Sequence, residues 1–260
     1  MENVSTIEFL LYVFSANISR YIIISGSFFL LFYFLIKKRW KDKKLQAKFP
    51  KNKDYFREIS YSILTLCVFV GMAYLIFRSP LAVYTLRYEN IADLGWGYWW
   101  ISVIAMIFIH DTYFYWTHRA MHHPKLYRFV HLVHHQSRNP SPWAAFAFHP
   151  LEAVVEAGIV FVIAFILPFH GTALLAFLIF MTFYNAYGHL GYELYSKKFL
   201  RSAIGRWVNT SIAHNHHHEK FNGNYGLYFL FWDRWMGTLR EDYDRFLLIQ
   251  GKINCINKGI

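Results

Sequence analysis

Long apolar segments separated by short polar stretches dominate the hydrophobic pattern of this chain. A helix that crosses a membrane needs about 20 mainly apolar residues. Arg20 interrupts the first apolar run, and we interpret this arginine as a residue at a membrane interface. The candidate spans cover residues 21–36 (with a start as early as Phe9), 59–77, 96–115, 153–167 and 172–187.

This pattern predicts an all-α fold, an integral-membrane bundle of about four to five membrane helices. The histidines described below add a histidine-rich, di-metal cap on the cytosolic side to this prediction. We expect residues 1–95 to form N-terminal membrane helices with a basic cytoplasmic loop. Residues 96–240 would then form a catalytic region, and residues 241–260 a C-terminal tail.

The net charge of +11 is concentrated in one stretch behind the first apolar segment. Such a block is typical of a cytoplasmic loop that faces anionic lipid, so it predicts a membrane partner and no nucleic acid. If this loop is cytoplasmic, alternate crossing places every histidine-rich segment on the same membrane face. The block contains Lys37, Lys38, Arg39, Lys41, Lys43, Lys44, Lys48, Lys51 and Lys53.

Histidine is the most informative residue type, with 14 copies that lie mostly in the second half of the chain. His118 and His122 are four residues apart, so on a helix both imidazoles share one face and can bind one metal. Two further boxes share the pattern His-x-x-His-His. The candidate metal ligands are His118, His122, His131, His134, His135, His189, His214, His217 and His218.

Nine imidazoles exceed the number that one metal ion binds, and two metals with four to five nitrogen ligands each fit the count. Imidazole binds iron, zinc and copper. Zinc sites in proteins are mostly four-coordinate, which favours an iron pair. The ligand set alone leaves zinc and copper open.

A neutral histidine that binds a metal usually donates its second N–H to a carboxylate or a carbonyl. Asp111 lies seven residues before His118 and shares its helical face. We interpret His110, His149 and His170 as structural, and His123 and His216 as residues around the site or at the surface. Candidate acceptors near the boxes are Asp111, Glu152, Glu156, Glu193, Glu219, Asp233, Asn185, Asn209 and Asn215.

Taken together, these motifs resemble the sterol desaturase and fatty acid hydroxylase superfamily, and most of all its sterol C5-desaturase (lathosterol oxidase) branch. Membrane acyl desaturases and alkane hydroxylases share the boxes, so the box spacing together with Trp232-Asp233-Arg234 is the more specific part. The likeness covers roughly residues 96–240 and lies in residues 111–124, 131–135, 147–150, 214–218, 224–226 and 231–234.

The resemblance implies a cytosolic di-metal site, with two iron ions (or zinc in purified protein), that uses O2 and external electrons. The family's ligands carry over onto the eight histidines of the three boxes, and His189 matches the family's isolated histidine. Asn185 stands where the acyl hydroxylase branch tends to carry a further histidine. No segment resembles a fused cytochrome b5, so we expect a separate donor of cytochrome b5 or ferredoxin type.

The expected function is O2-dependent hydroxylation or desaturation of a sterol-like or acyl lipid, in a bacterial inner membrane or the endoplasmic reticulum. A zinc-dependent membrane hydrolase is one alternative, but Arg119 occupies the place where that pattern needs a glutamate. A metal transporter is another, although transporters usually bind their ions near the membrane midplane. A di-haem cytochrome is disfavoured because its histidines would be paired on facing membrane helices.

Overall fold

The computed structural model describes residues 4–243, and this part of the chain is mainly helical, which confirms the all-α prediction. A π-helical segment, Leu30–Leu35, continues the first helix. The helices are α1 (Thr6–Phe29), α2 (Asn52–Phe77), α3 (Gly95–Met121), α4 (Pro124–Val130), α5 (Leu132–His135), α6 (Pro150–Ile166), α7 (Gly171–Gly188), α8 (Lys197–Leu200), α9 (Ser211–Lys220) and α10 (Phe231–Trp235).

Three helical segments within the described residues are long and apolar enough to cross a membrane: Thr6–Leu35, Asn52–Phe77 and Gly171–Gly188. The chain is therefore a membrane protein. The other two predicted spans fall in α3 and α6. Helix α6 has 17 residues and a length of about 26 Å, which is less than the roughly 30 Å of a hydrocarbon core. The total of four to five spans stays a prediction.

Helices α1, α2, α3, α6 and α7 pack around one apolar core. Leu66, Met106, Ile159 and Phe177 are almost fully buried in it. Burying one side chain of this size stabilises a protein in water by about 1.5–3 kcal/mol. Within lipid, close packing between the helices stabilises the fold instead. This bundle fixes the positions of the helix ends that carry the histidines.

The two ends of the bundle differ in character. At one end, strand β1 (Arg87–Tyr88) pairs in parallel with β2 (Phe169–His170), which links the loop after α2 to the turn between α6 and α7. At the other end, α3 and α7 finish and α6 begins. The histidine boxes lie at this second end. The predicted domain limits stay predictions, and most of the tail at 241–260 lies outside the described residues.

Candidate metal centre

The structure gathers all nine predicted ligands into two clusters, in each of which the candidate ligand atoms lie within 4.8 Å of one another. We call the five-histidine group the first cluster and the four-histidine group the second cluster. The first cluster consists of His118, His122, His131, His135 and His217. The second cluster consists of His134, His189, His214 and His218.

The His-x-x-His-His pattern explains how each box contributes to both clusters. In α5 and the residue before it, His131 and His135 are four residues apart and join the first cluster, while His134 joins the second. Helix α9 does the reverse, because its pair four residues apart joins the second cluster and His217 joins the first. Residues four apart share a helical face, and the residue between them points aside.

In the first cluster, the Nε2 atoms of two imidazoles face each other. His118 donates its Nδ1–H to the Tyr225 carbonyl (3.0 Å), and His131 Nδ1 lies 2.6 Å from Glu152 Oε1, to which it donates when Glu152 is a carboxylate. A neutral imidazole carries only one N–H, so both Nε2 atoms present lone pairs. These Nε2 atoms are 3.0 Å apart. Two lone pairs at this distance repel each other unless a cation lies between them.

The second cluster has the same arrangement around His189. Its Nδ1–H donates to the Asn185 carbonyl at 2.7 Å, which leaves a lone pair on its Nε2. The Nε2 atoms of His134, His214 and His218 lie 3.3, 3.0 and 3.2 Å from this atom. Four nitrogens thus converge on one point, and the donor set fits a metal ion.

Backbone carbonyls hold several imidazoles from outside, and sequence reasoning missed these partners. His217 donates its Nδ1–H to the Gly223 carbonyl at 2.8 Å. Gly223 and the neighbouring Phe221 have positive φ angles of 70° and 63°, which turn the chain back over α9. Every residue has a carbonyl, so residue type gives no signal for such contacts. Glu152, in contrast, was among the expected acceptors.

Burial is the main reason why the pKa values of these imidazoles fall. It lowers the pKa of His134, His135 and His217 well below the usual 6.5, and the neighbouring imidazoles lower it further. Burial also lowers the pKa of His189 to about 4. The histidines are therefore neutral at pH 7, and the neutral form is the one that binds a metal.

Three of the acidic side chains expected around the site bind backbone instead. Asp111 Oδ1 accepts the N–H groups of Tyr228 and Phe229 at 2.7 and 3.1 Å. Asp233 accepts those of Tyr225 and Gly226, which positions the carbonyl that holds His118. Glu193 likewise accepts the backbone N–H groups of Tyr195 and Ile212, and it also accepts from the Tyr187 hydroxyl.

The remaining histidines lie outside both clusters. His123 and His149 accept backbone N–H groups and cap α4 and α6, respectively. His216 is buried, with its Nδ1 3.9 Å from Asp242. The side chain of Asn185 donates to the Ala145 carbonyl, so this residue contributes its own carbonyl, not its amide, to the second cluster.

An apolar cavity of about 420 Å³ lies inside the helical bundle, and its lining includes side chains that pack on both clusters. Phe114 and Phe148 line it, and each also packs on a clustered histidine. The Phe114 ring centroid is 4.9 Å from that of His118 in the first cluster. The Phe148 centroid is 5.1 Å from that of His134 in the second cluster.

Comparison with known proteins agrees with this site. The fatty acid hydroxylase family model matches residues 103–238. Lathosterol oxidase from Rattus norvegicus is 30% identical over 236 residues, which are 90% of this chain and 72% of that protein. Delta(7)-sterol 5(6)-desaturase ERG3B from Gibberella zeae is 30% identical over 215 residues, 81% of this chain and 62% of that protein. A probable Delta(7)-sterol 5(6)-desaturase from Neurospora crassa is 32% identical over 210 residues, 79% of this chain and 58% of its own length.

No solved structure matches the chain. The match to the family model covers more than half of the 260 residues, and it contains all nine clustered histidines. The chain therefore belongs to the fatty acid hydroxylase family, and it is an oxidoreductase.

Proposed function

We propose that this protein uses O2 to hydroxylate or desaturate a sterol-like or acyl lipid at a di-iron site held by the nine clustered histidines. The observation that carries the proposal is the convergence of imidazole lone pairs in two adjacent clusters. His118 and His131 present such a pair at 3.0 Å, and His189 lies at the centre of a second set. A metal ion bound in each cluster would relieve both repulsions, and imidazole nitrogens are good metal ligands.

The distances between nitrogens support metals with more than four ligands. Two nitrogens that are each about 2.1 Å from one metal and at a right angle lie about 3.0 Å apart, whereas a tetrahedral angle gives about 3.4 Å. Three of the Nε2 distances are 3.0, 3.1 and 3.0 Å, which are nearer to the first value, while the His134–His189 distance of 3.3 Å is nearer to the second. Iron accepts five or six ligands more readily than structural zinc does. Bound iron would supply the redox chemistry that activates O2 for removing hydrogen from an unactivated C–H bond.

The protein's own residues would bind and orient the lipid. The cavity is lined mainly by apolar side chains of the membrane helices, so a lipid can enter it from the bilayer. Phe114 and Phe148 would guide the reacting carbon towards both clusters, since each ring contacts one of them. Excluding water from the histidine end of the cavity strengthens the electrostatic interactions within the site.

The two candidate reactions have the same requirements but different products. Each consumes one O2, two electrons and two protons. Hydroxylation places one oxygen atom in the lipid and one in water, while desaturation removes two hydrogens and places both oxygens in water. We propose that a separate cytochrome b5- or ferredoxin-type protein delivers the electrons on the cytoplasmic side.

Lipid mass spectrometry under 18O2 tests the proposal, with membranes from cells that express the wild type, His134→Ala or His123→Ala. We expect a wild-type product that is either labelled (hydroxylase) or two hydrogens lighter and unlabelled (desaturase). His134→Ala should abolish it, because that imidazole belongs to the second cluster. His123→Ala should retain it, since His123 is an exposed helix cap. Turnover by His134→Ala at the wild-type rate would refute the site assignment.

A further inference from the structure

Arg20 occupies an unusual place for a cation. It lies at the middle of the 30-residue apolar segment Thr6–Leu35, roughly 20 Å from either end. It is only 8% exposed. The helix continues about as far on one side of Arg20 as on the other, and the expectation that Arg20 marks a membrane interface stays a prediction. A buried charged residue within such an apolar helix is costly and usually has a functional partner.

The surroundings of Arg20 do not neutralise its charge. Within the described residues, its guanidinium donates one hydrogen bond, from Nη2 to Asn17 Oδ1 at 2.7 Å, and its Nε has no partner. No described carboxylate forms an ion pair with it. Arg87, which lines the same cavity, is in contrast paired with Glu89 at 3.0 Å.

Arg20 and Asn17 both line the cavity, as do Phe114 and Phe148, which pack on histidines of the two clusters. Helices α1 and α7 run in the same direction, because Tyr33 beyond α1 donates its hydroxyl to the Leu190 carbonyl beyond α7. Phe28 and Phe183 contact each other and mark the same level on the two helices. Arg20 is eight residues before Phe28, and His189 is six residues after Phe183, so the two are separated by roughly 20 Å along the helices.

The direction of the side chain adds to this separation. Side chains on a helix tilt towards its N-terminus, and the bond from Arg20 to Asn17 shows that the guanidinium follows this rule. It therefore points away from the histidine end of the cavity. Arginine offers only donors and matches the oxygens of a carboxylate well, while a hydroxyl or carbonyl oxygen can also accept from it.

We propose that Arg20, with Asn17, binds the oxygen-bearing end of the lipid substrate, so that the carbon to be oxidised lies near the opposite end of an amphipathic molecule. This inference rests on the proposed lipid oxidation at the histidine clusters. Binding at Arg20 holds the lipid at a fixed depth, and it therefore determines which carbon reaches Phe114 and Phe148. An unpaired cation favours a carboxylate end group over a neutral one.

Native mass spectrometry of the detergent-purified full chain tests the binding step without requiring turnover. The probes are two matched pairs, palmitate against hexadecane and cholestanol against cholestane. We expect the wild type to prefer an oxygen-bearing probe by on the order of tenfold, the ratio that one hydrogen bond to a charged group supports. Arg20→Met should remove the preference and Arg20→Lys should keep part of it. Arg87→Met should keep it, because that cation already has a partner.

Palmitate preference identifies a carboxylate lipid, and cholestanol preference identifies a neutral alcohol at the same site. If Arg20→Met keeps the wild-type preference, or if the wild type shows none, the proposal is overturned. Arg20→Gln, which is uncharged but polar, serves the same test if the methionine variant does not fold. In membranes with active enzyme, Arg20→Met should also oxidise the lipid at several carbon positions, because a lipid that is not held at residue 20 can slide along the cavity. A wild type that binds selectively but forms no product would refute the proposed reaction and leave the binding site standing.

Discussion

The two histidine clusters use the same imidazole chemistry, but they are held in different ways. A buried carboxylate, Glu152, anchors the first cluster through His131, and the half-buried His122 brings this cluster towards the surface. The second cluster is fully buried, and a backbone carbonyl anchors its central His189. A carboxylate partner increases the basicity of a metal-binding imidazole more than a neutral carbonyl does. If each cluster binds a metal as proposed, the two positions would differ in ligand number and in access.

Replacing His189 with alanine should have the largest effect on this pair of clusters. Its Nε2 contacts all three other nitrogens of the second cluster, and only three imidazoles would remain. We expect the metal content to fall from about two ions per chain to one, and turnover to fall to background. Elemental analysis of the purified protein and a lipid product assay measure the two effects.

The matched variant in the first cluster is His122→Ala. Four imidazoles remain there, so we expect this variant to keep more metal than His189→Ala does. The opposite order, with His189→Ala still holding two ions, would show that the two clusters are not separate metal sites.

A smaller effect should follow from Glu152→Gln, which removes the charge but leaves an oxygen that can accept from His131. We expect metal affinity at the first cluster to fall about 10- to 100-fold, as is usual when the partner of a metal-binding histidine is changed. Competition with a chelator should release about one ion early and leave the ion at the second cluster bound.

Glu156→Gln provides the control for metal affinity. Glu156 lies one helical turn further along α6 and faces the cavity without contacting a clustered histidine. Equal release of metal from Glu152→Gln and Glu156→Gln would mean that Glu152 acts through the general charge of the site and not through its contact with His131.

Local spacing explains why the sequence predicts the nine clustered residues so well. Residues at intervals of three and four lie side by side on a helix, and the boxes sit at the ends of membrane helices that the apolar segments already indicate. The sequence pattern also predicts two groups of four to five ligands. It does not say which histidine joins which group, because that depends on how α5 and α9 face each other across the site.

Other features depend on contacts between segments that are far apart in the chain. The carbonyls of Tyr225 and Gly223 become partners of histidines only after the loop behind α9 folds back. Arg20 interrupts an apolar run in the sequence, and the pattern does not show that a cavity lies beside it. The same limit applies to Asp111, whose partners lie more than a hundred residues away.

The smallest effect is expected at Asp111, which shares a helical face with His118 but contacts neither cluster. Its carboxylate accepts the N–H groups of Tyr228 and Phe229, and Asp111→Ala would leave both N–H groups without this partner. We expect a loss of stability of about 1–3 kcal/mol and a lower Tm in a thermal-shift assay, with unchanged metal content. Asp111→Asn keeps an accepting oxygen, so its Tm should lie closer to that of the wild type. If Asp111→Ala loses a metal ion while its Tm stays the same, the carboxylate belongs to the metal centre, and the contrast between the two clusters has to include a second acidic anchor.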